Sequence, residues 1–447
     1  MSRNDMNWRR VGQLALIHVG VSITVVPVTS TLNRIMIADM GLSATLVGLL
    51  VALPYLLSPL QVVIGNQADY KLVWGLRRSP WIVIGGLMAS FGSYLTSHSA
   101  YVLHEGAALG LAAAVGAFLL WGVGVNVASV SYLSLVSDLT TDHENWRSRA
   151  ISVMWTAMIL STIGISLLIS TMLTPYADVL TPAGEAAVYN AFGAVWLMAS
   201  AMVLFGAARL EPAPDPEQIV HNAADNPVTA YRLLAANPAA RRFFVYLLLI
   251  LVSIHAQDVL LEPFGAEALG MAPAATSRLT ALWGIGVLFT LTGGLLLLRR
   301  IGKKASANAG AVLTACAFGL IIVTGLAGNT GLFMGAVLLL GLGGGLMTIS
   351  NLSFMLDMTV PAAAGLYIGA WGVANFAGQA LGNIASGLLR DATLLLTGNR
   401  LLGYVSVFSL EIIGLLLAMW LLRSISVTEF RRQAELGLQE TLALAGN

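Results

Sequence analysis

The chain alternates long apolar runs with short polar connections. Twelve runs are long enough to cross about 30 Å of hydrocarbon as helices. They fall at 11–37, 44–65, 80–103, 107–137, 147–173, 187–209, 241–262, 275–298, 305–327, 330–356, 361–390 and 401–423. One long polar connection, "EPAPDPEQIVHNAADNPVTAYRLLAANPAA" (211–240), follows the sixth run. It is rich in Pro, Ala and Asn and reads as a linker between two six-helix halves, 1–210 and 241–423, with a tail at 424–447. The pattern predicts an all-α polytopic membrane protein.

Composition agrees. The residues are 57% hydrophobic and only 10% charged, against about 25% charged in an ordinary soluble domain. A net charge of +1 gives no basis for a polyanionic partner, and nucleic acid is excluded. The lone cysteine, Cys316, cannot close an internal disulfide. The first apolar run begins after Trp8-Arg9-Arg10 and is too long for a signal-peptide core, so insertion is expected to rely on that span itself. Charge then orients the spans. With the N-terminus inside, all Lys and Arg except Arg34, Arg278, Arg390 and Arg400 fall in the cytoplasmic connections and tails. Both termini are predicted cytoplasmic, in an inner membrane.

An internal repeat supports equivalent halves. "SYLSLVSDLT" (131–140) aligns without gaps to "SNLSFMLDMT" (350–359), at the ends of spans four and ten, with Asp138 matching Asp357. Parallel six-span halves are the pattern of the major facilitator fold. The loop "GNQADYKLVWGLRR" (65–78) places Asp69 before Arg77 and Arg78 and resembles the loop motif of that superfamily. Its counterpart "LRRIGKK" (298–304) keeps the basic residues without the acid. Together with Asp138, Arg149 and Asp357, these residues are candidates for an ion-pair latch between the cytoplasmic ends of the halves. Ordinary positive-inside charge explains them equally well.

Three further stretches narrow the family. "TLNRIMIADMG" (31–41), "IGNQADYKLVWGLRRSPW" (64–81) and "AQDVLLEPFGAEALGM" (256–271) resemble the PucC/LhaA family, the bacteriochlorophyll-delivery branch of the major facilitator superfamily. The Gln-Asp-Val-Leu-Leu-Glu-Pro string is the most specific piece. The resemblance implies a light-harvesting assembly factor in a photosynthetic membrane. It would bind (bacterio)chlorophyll as cargo rather than as a stable cofactor, or antenna or reaction-centre polypeptides, or both. Two other classes stay open: a proton-coupled transporter of a small solute, and a pigment-free chaperone of antenna helices. No catalytic constellation supports an enzyme.

Candidate site residues are the polar exceptions within apolar runs. Asp258 and Glu262 are spaced i, i+4, which on an α-helix puts both carboxylates on one face. Each isolated charge in hydrocarbon costs several kcal/mol. We expect Arg34, at similar depth in span one, to pair with one or both across the central cavity, forming a gate. Pro263 is expected to end or kink span seven. His255, three residues before Asp258, and His18 could ligate the magnesium of a tetrapyrrole, although a histidine bonded to a neighbouring helix is the plainer reading. Asn375, Gln379 and Asn383 form a polar stripe on span eleven among Gly369, Gly372, Gly378, Gly382 and Gly387. Helix packing explains that stripe better than substrate lining does. Glu411 in span twelve is a candidate for a pathway or proton role. The stretch 427–445 could lie on the membrane surface as an amphipathic helix, or fray.

Overall fold

The computed structural model describes residues 6–61, 64, 67, 72–106, 109–140, 144–212, 237–359 and 364–433. These residues are almost wholly helical. In chain order the α-helices are α1 (Trp8–Ser22), α2 (Ala44–Leu56), α3 (Ser79–His104), α4 (Gly110–Leu139), α5 (Glu144–Leu173), α6 (Pro182–Ala207), α7 (Pro238–His255), α8 (Leu261–Leu269), α9 (Pro273–Ile301), α10 (Lys303–Ala327), α11 (Thr330–Asp357), α12 (Ala364–Thr397) and α13 (Arg400–Arg423). Side chains of Asn7, Ser43, Thr181, Asn237, Asn329 and Asn399 cap helix starts, each satisfying a backbone N–H the helix itself leaves open.

Among the described residues nine helical segments are long and apolar enough to cross a membrane, which makes the chain a polytopic membrane protein. This is fewer than the twelve runs expected. Ala44–Leu56 is apolar but short. Helices α3 and α12 are long, yet rich in polar positions such as Ser90, Ser93, Thr96 and Ser97, and Asn375, Gln379 and Asn383.

The packing repeats itself. Before residue 212, α3 packs on α4 and α6, α1 on α5 and α6, and α2 on α4. After residue 237, α10 packs on α11 and α13, α7 on α12 and α13, and α9 on α11. The two sets meet through α2 against α12 and α5 against α9. Glycine makes the first seam possible. A Cβ on Gly48 would stand 2.4 Å from the Asn383 carbonyl oxygen, and one on Gly387 would stand 2.4 Å from that of Ala44. Gly378 and Gly382 let α12 lie as closely on α7. Packing is therefore the role of those three α12 glycines, whereas Gly369 and Gly372 face open space.

Two spans abandon the α-helical path. After α1, residues Pro27–Leu32 and Ile35–Asp39 wind as π-helix. Between α7 and α8, Ala256–Val259 form a 3-10 turn. The break in span seven thus comes before Pro263, which sits in the first turn of α8, where its missing N–H leaves no helical bond unmade that the helix start would otherwise make. Most of the expected linker, 213–236, lies outside the described residues, as does 434–447. The described part of the tail does not lie free on a membrane. Phe430 is buried edge-on against Tyr367, the Asn237 side chain donates to the Phe430 carbonyl, and Arg431 donates to the Asp357 carbonyl. On this docked segment Glu429 is held below the usual carboxylate range by bonds from Arg432 and Gln433.

Candidate functional site

The helical period decides which charges meet. In the π segment, bonds run from i to i+5, so Asp39 returns to the face of Arg34, and these two form an ion pair. The expected pairing of Arg34 with Glu262 or Asp258 does not occur. Arg34 is buried and also donates to the Met271 carbonyl at 3.2 Å, so it does reach the other half, but at the backbone. In the 3-10 turn, side chains at i and i+3 eclipse. His255 accordingly stands beside Asp258, Nδ1 to carboxylate 2.7 Å. Asp258 also accepts from the Gln257 amide at 2.6 Å. Four residues on, Glu262 has been carried into a different environment: it is buried and accepts from Thr280 of α9 at 2.8 Å. The two carboxylates therefore do not share one face, because the turn between them is not α-helical.

The break itself is stitched to the first half. In an uninterrupted α-helix the Val259 carbonyl would need an N–H at position 263, which proline lacks. Instead the Val259 carbonyl accepts from the Asn33 side chain at 3.2 Å, and the Asp258 carbonyl accepts from the same amide at 3.1 Å. Asn33 is fully buried. The 3-10 turn packs against α2, the first π segment, α12 and α13, which puts His255 and Asp258 where the halves meet. Their side chains are 25% and 31% exposed.

Other cross-half bonds lie at the same end of the bundle, here the far end, opposite the basic connections. Thr31 and Ser277 hydroxyls are 3.1 Å apart. Ser170 donates to the Ala274 carbonyl and accepts from Arg278. Asp391 at the end of α12 accepts from the backbone and hydroxyl of Thr45, both at 2.8 Å, at the start of α2. Arg390 braces it and also pairs with Glu267 at 2.6 Å, which accepts from Tyr404. These bonds between 6–212 and 237–433 gather at one end of the molecule, the far one. Asn33, Asp39, Glu267, Arg390 and Asp391 are not among the expected site residues. Only the Arg390-Asp391 dipeptide at a span end stands out in the sequence.

At the basic end, two ion pairs among the described residues run within a half. Arg78 meets Asp138 at 3.2 Å, tying the start of α3 to the end of α4, and Lys303 meets Asp357 at 2.5 Å, tying α10 to α11 in the equivalent way. The expected latch between halves is therefore not made by Asp138 or Asp357 with these partners. Glu211 accepts from the backbone N–H groups of Arg77, Arg78 and Ser79, an anion at the start of α3 where the helix dipole favours it. Arg149 lies over the Trp146 ring. Asp69 lies outside the described residues.

The remaining candidates are scattered. His18 is buried, with Nδ1 at 2.7 Å from the Tyr132 hydroxyl and Nε2 without a partner among the described residues. On α12, Gln379 donates to Asn375, and Asn383 is buried against Gly48. Glu411 is 2% exposed, and neither carboxylate oxygen has a hydrogen-bond partner among the described residues.

A family model described as "PUCC protein" matches residues 31–430. The chain belongs to this family. It is 29% identical to Protein PucC of Rhodobacter capsulatus over 92% of this chain and 90% of that protein. It is 27% identical to a protein of the same species named bacteriochlorophyll synthase 44.5 kDa chain, over 85% and 86% of the two. Among solved structures, a point mutant of the nucleoside transporter NupG superposes with a TM-score of 0.70 at 14% identity, covering 93% of this chain and 99% of that one. At that identity the likeness gives the fold, which is of the major facilitator type.

Proposed function

We propose that the chain is an assembly factor for photosynthetic pigment–protein complexes. It holds (bacterio)chlorophyll as cargo and passes it to antenna polypeptides; it carries pigment rather than making it. The observation behind this reading is the His255–Asp258 pair at a broken helix between the two halves. A carboxylate can only accept, so Nδ1 carries the imidazole proton. A neutral ring then presents its Nε2 lone pair to a ligand, the arrangement by which a carboxylate orients a metal-binding histidine. The central magnesium of the pigment is a fitting acceptor. His255 suits the role better than His18, whose free nitrogen is buried beneath Tyr132 and Trp155. The names of two relatives, PucC and a bacteriochlorophyll synthase chain, support a pigment-related role. By the positive-inside rule the basic end and both termini face the cytoplasm, so the far-end bonds close the periplasmic side.

The test is to purify the tagged protein in mild detergent from a bacteriochlorophyll-producing host and record its absorption spectrum and copurifying polypeptides. We expect stoichiometric pigment, lost in His255→Phe and bound about 10–100-fold more weakly in Asp258→Asn, but retained in His18→Phe. A colourless protein that still carries antenna subunits would replace this reading with a pigment-free chaperone. A colourless protein without partners, showing proton-coupled solute uptake that depends on Asp258 or Glu262, would replace it with transport.

A further inference from the structure

A second polar feature lies behind the His255 pair. Glu411, midway along α13, is 2% exposed, and both its oxygens lack hydrogen-bond partners among the described residues. It lines a small cavity of about 30 Å³ with Ser253 of α7 and Ser386 of α12, room for about two water molecules. Both serine hydroxyls already donate to their own helices, Ser253 to Leu249 and Ser386 to Asn383, so toward the cavity they can only accept. Among the described residues the two hydroxyls of the cavity thus offer Glu411 acceptors rather than donors. An ionised carboxylate needs donors; a carboxylic acid needs an acceptor for its one proton. Burial without a counter-charge disfavours the ion in the same direction.

The surrounding charges leave this need unmet. Asp258 of the 3-10 turn is the charged group that faces Glu411, and it repels an anion. From α7, His255 is engaged by Asp258 and Tyr246 by Asn351. From α8, Glu262 is bonded to Thr280 and Glu267 to Arg390. From α12, Arg390 and Asp391 are committed at the far end. The lysines of α10, Lys303 and Lys304, sit at the opposite end of their helix, Lys303 on Asp357. The Gln257 backbone N–H lies near the Glu411 carboxyl without reaching hydrogen-bond geometry.

We propose that Glu411 is an internal proton-binding site, filled through the water-sized cavity that it lines with Ser253 and Ser386. On loading, one O–H bond forms on Glu411 as one breaks on a hydronium ion that reaches the cavity, which leaves as neutral water. Release reverses both steps. The site does not require pigment to bind at His255.

Infrared spectra of the purified protein at pH 7 test this directly. Wild type should show a protonated-carboxyl band that Glu411→Gln removes and that Glu262→Gln leaves in place. In deuterated buffer that band should shift to lower frequency, as a protonated carboxyl reached by water does. An unchanged protonated-carboxyl region in Glu411→Gln, with loss of ionised-carboxylate intensity instead, overturns the proposal. Should Glu411→Gln not fold, the Ser253→Ala/Ser386→Ala protein keeps the question open to decision. A shifted band supports the site, and a spectrum identical to wild type overturns it. None of these outcomes depends on pigment, so they separate this site from the His255 reading.

Discussion

Span one and span seven hold equivalent places in the two halves, and both leave the α-helix near the far end. What they do with the departure differs. Span one widens into π-helix, and the i to i+5 alignment closes Arg34 onto Asp39. Span seven tightens into a 3-10 turn, and the i to i+3 alignment sets His255 against Asp258 while leaving both side chains partly open. One irregularity consumes its charges internally; the other presents them. The lesson is that the local helical period, more than the identity of the residues, determines which polar groups are available. The closed span also serves the open one, since Asn33, next to Arg34, caps the carbonyls that the turn exposes.

The largest expected effect comes from opening the closed span. Removing one partner of a buried pair strands the other charge, at about 3–5 kcal/mol. Asp39→Asn should therefore lower thermal stability in detergent steeply. Arg34→Glu should be rescued by Asp39→Arg and not by Glu262→Arg. Rescue by Glu262→Arg would mean that the two spans pair across the cavity and that the contrast drawn here is wrong.

A middle-sized effect tests the dependence of one span on the other. Asn33→Leu leaves the Asp258 and Val259 carbonyls without their donor, a cost of about 1–3 kcal/mol. Hydrogen exchange should rise in residues 256–262 and not in α10 or α11. Uniform protection across span seven in this variant would show that the turn holds itself.

The sequence carries much of this fold and less of the site. Hydrophobic runs and charge bias depend on composition over many residues, so the helical membrane architecture is plain from them. The match of Asp138 with Asp357 marks equivalent positions, each with a basic partner at the start of the preceding helix. Pairings within the broken spans are hidden because they depend on a period that an α-helical reading does not contain. An i, i+4 rule joins Asp258 to Glu262, whereas the backbone joins Asp258 to His255 and sends Glu262 to Thr280. The proline of span seven points one step too late along the chain. It stands inside the new helix, and the break lies in the residues before it. Asp391 is hidden for another reason: its partner is the start of a helix 346 residues away, mostly backbone, which no side-chain pattern announces.

The smallest effect asks whether the basic end shares the far end's logic. There the pairs Arg78–Asp138 and Lys303–Asp357 lie within halves, and both acids reach solvent although Arg78 is buried. Exposed pairs contribute roughly 0–1 kcal/mol. Asp138→Asn and Asp357→Asn should thus change the melting temperature little, far less than Asp39→Asn, and by similar amounts because they hold equivalent helix ends. Cysteine crosslinking between α4 and α11 at their basic ends should proceed at the wild-type rate in both variants, since neither pair joins the halves. A large change in that rate would show that these acids act between halves after all, as the far-end bonds do.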